Sequence, residues 1–121
     1  MKTDIIIIGS GPGGYRTAGY ALQQGKQVVI IEKAEAGGTC LNSGCIPTKC
    51  LAHVAEANAS DFPAAAERKR NVMNQLRQGI EQLLSAPGIT LVRGEATFKD
   101  ARTLTVEGID YEADDISIAT G

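Results

Sequence analysis

The chain has 121 residues, 43% of them hydrophobic and 21% charged, with a formal net charge of −2. That length holds one domain at most, and that composition excludes a disordered or collagen-like chain. The charge is too small for a polyanion or a membrane surface, and 4% aromatic content without Trp excludes base-stacking platforms.

Asp4 to Ile8 reads as a parallel strand buried on both faces. The run Ile5–Ile8 is far too short for a signal-peptide core or a membrane span. The expected location is therefore the cytoplasm, where a structural disulfide is disfavoured and a cysteine pair points to catalysis or metal binding. Gly9 to Gly14 forms a tight glycine loop. Tyr15 to Gln24 is helix-compatible, with Gly25 as its stop. Gln27 to Ile31 is a second buried strand, ending in Glu32. This βαβ opening predicts a parallel sheet with a right-handed crossover.

Ser43 is placed to cap a helix starting near Cys45 and reaching about Ala57, with Pro47 in its first turn. Asp61 and Pro63 start another helix, with Val72, Leu76, Ile80, Leu83 and Leu84 on one face. Pro87-Gly88 ends it. Ile89 to Arg93 is a third strand. Short strands follow near Glu95–Phe98, Thr103–Val106 and Ile109–Tyr111, then a last strand from Asp115 to Ala119. The fold class is α/β: a Rossmann-like domain with a parallel sheet, crossover helices and a small antiparallel β-meander. There is no internal repeat or linker. The ending Ala119-Thr120-Gly121 should run from a strand into a loop at the ligand-binding edge, so a fragment of a longer protein is expected.

Gly9-x-Gly11-x-x-Gly14 follows a strand and opens a helix. Gly9 permits the turn, Gly11 lets the backbone approach a pyrophosphate, and Gly14 lets helix and strand pack closely. The phosphates would lie at the helix N-terminus, where free N–H groups favour anions. Glu32 sits about 20 residues downstream, where a carboxylate accepts hydrogen bonds from the adenosine ribose and repels a 2′-phosphate. A glycine turn without a ligand is the plain alternative. The motif does not separate FAD from NAD.

Cys40, Cys45 and Cys50 admit three readings. Cys40 and Cys45 can form a redox disulfide, with Cys45 at a helix start that lowers its pKa. Cys40, Cys45, Cys50 and His53 can bind zinc, although the spacing lacks a Cys-x2-Cys knuckle. The cysteines can also be small buried residues, which suits Cys50 best. His53 reads as an ordinary helix histidine.

The run Gly37-Gly38-Thr39-Cys40-Leu41-Asn42-x-Gly44-Cys45-Ile46-Pro47-Thr48-Lys49, with the glycine loop, Glu32 and Ala119-Thr120-Gly121, resembles the pyridine nucleotide–disulfide oxidoreductases. The resemblance spans the chain, is weakest from Asp61 to Pro87, and leans toward the dihydrolipoamide dehydrogenases over glutathione-type reductases, with mercuric reductases close to the same pattern. Ile46-Pro47-Thr48-Lys49 carries that lean.

The resemblance implies FAD, with Glu32 at its ribose and Gly9, Gly11, Pro12 and Gly14 at its pyrophosphate. It places Lys33, Gly38, Thr39, Ala96, Thr120 and Gly121 along the cofactor. Cys45 would face the isoalloxazine as the thiolate of a charge-transfer pair, Cys40 would meet the substrate, and Lys49 would lie near flavin N5. Dihydrolipoamide would be oxidised to lipoamide, with electrons passing by Cys40–Cys45 and FAD to NAD. Residues 1–121 would be the N-terminal part of the FAD-binding domain, without the NAD-binding and dimerisation domains. The fragment should be inactive alone and hold FAD weakly or not at all. Its parent should be a homodimer, with a place in a 2-oxo acid dehydrogenase complex and no nucleic-acid or membrane partner. The rival class is a non-enzymatic nucleotide- or zinc-binding module.

Overall fold

A computed structural model describes residues 1–57 and 61–121. Ile6 and Ile7 are both fully buried, yet they join different clusters. Side chains alternate across a strand, so a run apolar at every position needs cover on both faces. The strands are β1 (Lys2–Ile8), β2 (Val28–Glu32), β3 (Ile89–Arg93), β4 (Ala96–Phe98), β5 (Thr103–Val106) and β6 (Ile109–Ile118). They form one sheet in the order β3-β2-β1-β6-β5-β4. The first four in that order are parallel, and β6, β5 and β4 form the antiparallel meander.

The helices are α1 (Pro12–Gln23), α2 (Gly38–Asn42), α3 (Cys45–Glu56) and α4 (Phe62–Leu84). Ile7, Val28 and Ile30 pack on one side with Ala18 and Ala21 of α1 and Leu84 of α4. Ile6, Val29 and Ile31 pack on the other with Leu104 and Val106 of β5 and Tyr111 and Ala113 of β6. The meander therefore covers the sheet face that the helices leave open.

Four local expectations are corrected. Helix α1 starts at Pro12, inside the expected loop. Proline's fixed φ suits the first helical position, where its missing N–H costs nothing. Ser43 caps no helix start: it is the C-cap of α2, with its hydroxyl 3.4 Å from the Thr39 carbonyl, and Gly44 precedes α3. The unforeseen turn α2 takes up the backbone that a Ser43 cap would have used. Ile109 to Ile118 is one strand rather than two. Tyr111 and Ala113 are buried while Glu112 and Asp114 are exposed, so the alternation crosses the expected break without a turn residue. Glu112 pairs with Thr103 on one edge and with Lys2 on the other, which hands β6 from the meander to the parallel sheet. On α4, Leu84 is buried, whereas Leu76 and Leu83 of the expected apolar face are more than two-fifths exposed. Helix α4 packs on α3, α1, α2 and β3 by part of its circumference only.

Asp61 does start α4, accepting from the Ala64 N–H at 3.2 Å. Asp61→Ala should cost about 1 kcal/mol, since one first-turn donor loses its acceptor. Urea unfolding would read this as a lower midpoint at constant slope.

Candidate functional site

The loops leaving β1, β2, β3 and β6 meet at the carboxyl ends of the parallel strands, where α/β sheets bind ligands. Backbone bonds fix them: Gly9 N–H donates to the Ile31 carbonyl (2.7 Å), Ala119 N–H to Ile8 (2.8 Å) and Gly94 N–H to Glu32 (3.0 Å). Gly9 has φ +102°, and a Cβ there would run into the Ala119 carbonyl. Gly11 faces the turn before α2, so closely that a Cβ on Gly38 would lie 2.7 Å from the Gly11 Cα. Between these loops runs a cleft of about 700 Å³.

Glu32 lines the cleft and is itself buried. Its Oε2 accepts from the Ser10 N–H (2.9 Å) and Ser10 hydroxyl (2.6 Å), and its Oε1 accepts from the Ala34 N–H (2.9 Å). Burial pushes the carboxyl up, but these three bonds and the nearby Arg93 cation outweigh it and hold Glu32 below the usual carboxylate range. Oε1 keeps acceptor capacity for a ligand hydroxyl. Arg93 also donates to the Ala34 carbonyl (2.8 Å), steadying the turn whose N–H meets Glu32.

Cys40 and Cys45 are joined as a disulfide, with Cα atoms 4.7 Å apart. Cys40 sits on α2 and lines the cleft. Cys45 is the first residue of α3 and is exposed. Neither is then available as a zinc ligand. Among the described residues, no three His, Cys, Asp or Glu side chains gather as a metal cluster. Cys50 is a free thiol, half-buried, and His53 is exposed.

Of the other expected cofactor residues, Gly9, Gly11, Pro12, Lys33, Gly38, Thr39, Ala96, Thr120 and Gly121 all line the cleft with Glu32. Gly14, Cys45 and Lys49 do not. Gly14 lies behind the loop, where a Cβ would overlap the Gly9 carbonyl. Lys49 is exposed on α3. Two residues carry more of the site than their letters suggested. Ser10 occupies a variable position of the glycine motif, yet it is fully buried and anchors Glu32. Asn42 lies between the cysteines and ties their turn to α4 through Arg77. A small hydroxyl residue inside a phosphate-loop motif was the available signal for Ser10; nothing local marks the Arg77 contact.

The site's chemistry fits a dinucleotide such as FAD. No side chain caps α1, whose N-cap is Gly11, so its first-turn N–H groups face the cleft without a side-chain acceptor. The glycine cradle leaves backbone exposed where side chains would fill it. A buried carboxylate with spare acceptor capacity lines the same cleft as Cys40 of the disulfide.

The family model for pyridine nucleotide-disulphide oxidoreductases matches residues 3–121. The chain is 39% identical over 141 aligned residues to the dihydrolipoyl dehydrogenase of Staphylococcus aureus, covering 100% of this chain and 30% of that protein. It is 42% identical over 137 residues to that of Thermus scotoductus, again covering 100% of the chain and 30% of the relative. The solved copper(II) complex of the HOCl-induced flavoprotein disulfide reductase RclA from Escherichia coli superposes with a TM-score of 0.94. It is 37% identical, covering 100% of this chain and 29% of that one. The chain thus spans about 30% of the length of these curated relatives. With the glycine cradle, the buried Glu32 and the cysteine pair at one cleft, this match over nearly every residue places the chain in the pyridine nucleotide-disulphide oxidoreductase family.

Proposed function

We propose that the chain is the FAD-binding and dithiol-exchanging part of a flavoprotein that oxidises dihydrolipoamide to lipoamide. The observation that carries this is the Cys40–Cys45 disulfide, whose Cys40 lines the dinucleotide cleft. The likeness to dihydrolipoyl dehydrogenases supports the substrate class. Cys40 lines the cleft, which suits it to meet a substrate thiolate. Attack on the Cys40 sulfur breaks the S–S bond, and Cys45 leaves as a thiolate at the N-terminus of α3. There the helix dipole favours its charge. The second substrate thiol then attacks the mixed disulfide, releasing Cys40 and closing the lipoamide ring. Two electrons now reside on the cysteine pair. Bound FAD would supply the carrier between that pair and NAD.

Glu32 would hold the ribose through Oε1, and the first turn of α1 the pyrophosphate, with Pro12, Lys33, Thr39, Ala96, Thr120 and Gly121 along the dinucleotide. Gly14 would act by keeping α1 close to β1. Lys49 would add positive charge on the exposed side of α3, one turn beyond Cys45. The NAD-binding and dimerisation portions would belong to the remaining length of a homodimeric parent, working in the cytoplasm and serving a 2-oxo acid dehydrogenase complex. Among the described residues, no helix is long and apolar enough to cross a membrane. The likeness to RclA supports a second reading, in which the same pair works as a disulfide reductase.

Dithiol exchange is tested by counting thiols. The chain has three cysteines, so dihydrolipoamide should raise the free thiols from one, Cys50, to three. A count that stays at one sinks the reading. Loading with FAD, then desalting, should leave a flavin absorbance if the cleft holds it. With dihydrolipoamide and NAD the chain alone should show no steady turnover, because it holds one glycine fingerprint and its one histidine, His53, is exposed on α3 away from the disulfide turn.

A further inference from the structure

Opening the Cys40–Cys45 disulfide removes the one covalent tie across a turn of sequence separation 5. Helix α2 has only five residues, too few to hold itself. The Ser43 N–H still donates to the Thr39 carbonyl and Leu41 stays buried, but the side chain that ties the turn to another helix is Asn42. Its amide donates to the carbonyls of Ala36 (3.0 Å) and Gly38 (2.9 Å), while its Oδ1 accepts from Arg77 Nε (3.0 Å) and Nη2 (2.6 Å). Arg77 stands on the long helix α4, with its side chain 24% exposed and the Glu35 carboxylate 3.7 Å from its Nε. One amide thus joins both ends of the segment carrying Cys40 to a separate rigid element.

We propose that Arg77 and Asn42 form a clamp that sets the redox equilibrium of Cys40–Cys45 by holding Cys40 within reach of Cys45 when the pair is open. Both are positioning residues, and the idea rests on the dithiol-exchange reading above. Reduction breaks the S–S bond and adds two electrons and two protons, taken from a small dithiol that closes to its own cyclic disulfide. The reverse step depends on how often the two protein thiols meet. A clamped turn keeps their effective concentration high. A loose turn gains conformational entropy only in the open state, which favours reduction. Loss of the clamp should therefore make the pair easier to reduce. Loss of the Arg77 charge alone would act in the opposite direction, since a cation favours a thiolate. Glu35 beside the guanidinium offsets that charge, and the paired donors aim at Asn42, so the clamp effect governs the sign.

The test equilibrates the full chain in dithiothreitol buffers of graded oxidation, then alkylates and counts thiols. Arg77→Ala should shift the equilibrium about tenfold toward the dithiol, ~30 mV for a two-electron couple. Asn42→Ala should shift it the same way. The double variant should go no further than the larger single one, because the two act as a unit. Arg77→Lys should fall between wild type and Arg77→Ala, and Arg68→Ala on the same helix should leave the equilibrium unchanged. A lowered melting temperature with an equilibrium within about twofold of wild type would mean a merely structural contact and overturn the clamp. So would a shift toward the disulfide. If Asn42→Ala does not fold, the three Arg variants decide. A wild-type pair that does not exchange with dithiols at all sinks the proposed function, and the clamp with it.

Discussion

Gly14→Ala is expected to lower the free energy of unfolding by about 3 kcal/mol, at the upper end of overpacking costs. Gly19→Ala, five residues along the same helix, is expected to raise it by ~0.5–1 kcal/mol. Both glycines are in α1 with ordinary helical backbone, so alanine's better helix propensity acts equally at both. Their surroundings differ. A Cβ on Gly14 overlaps the Gly9 carbonyl oxygen and sits 2.8 Å from its carbon, whereas a Cβ on Gly19 meets nothing within 4 Å. The obstacle at Gly14 is backbone, and that backbone cannot retreat. The Gly9 N–H is bonded to Ile31 and Gly9 itself abuts Ala119. The helix would have to move off β1, opening the contacts of Ala18 with Ile7 and Ile30 and spoiling the phosphate cradle. Paired urea titrations would measure both substitutions. Equal effects would mean that α1 is free to slide, and that Gly14 is not what sets its distance from the sheet.

Much of this arrangement was legible in the letters, for a physical reason that also marks where legibility stops. Val28–Ile31 is apolar at every position and has few alternative placements, so β2 fell within a residue of expectation; β3 fell on its expected range between the Pro87-Gly88 stop and Gly94. Glu32 was found because a strand end plus a glycine fingerprint fixes a place in space as well as in sequence. The cysteine turn was found by its pattern, but its anchoring was not. Arg77 lies 35 residues from Asn42, and no local periodicity connects them. The Ser43 cap failed because α2 could not be seen in a stretch rich in glycine. Leu76 and Leu83 matched a helical face that the described chain covers only in part. Ser10 looked like a spacer because motif reasoning weighs the glycines, while burial and hydrogen bonding decide what the intervening side chains do.

Glu32→Gln should destabilise the fold by about 3 kcal/mol near neutral pH and flatten its response to acid. The carboxylate accepts three hydrogen bonds, two from backbone N–H groups and one from a hydroxyl on a fully buried residue. An amide offers one oxygen and one NH2. Whichever way it turns, its NH2 faces either the buried Ser10 pair or the part-buried Ala34 N–H, setting donor against donor. The charge assistance is also lost. Because the folded chain holds Glu32 below its ordinary value of 4.5, the unfolded chain takes up the proton first as pH falls. The stabilisation from ionised Glu32 is therefore complete above the ordinary value and is lost as pH drops through the lower folded one. Wild type should lose stability over that acid window more steeply than Glu32→Gln, so the two curves converge at low pH. Parallel curves from urea titrations at graded pH would show that Glu32 is not the titrating group. Convergence would tie the acid sensitivity of the fold to the carboxylate proposed for the ribose, so that the group readiest to meet a dinucleotide also locks the glycine loop to the sheet.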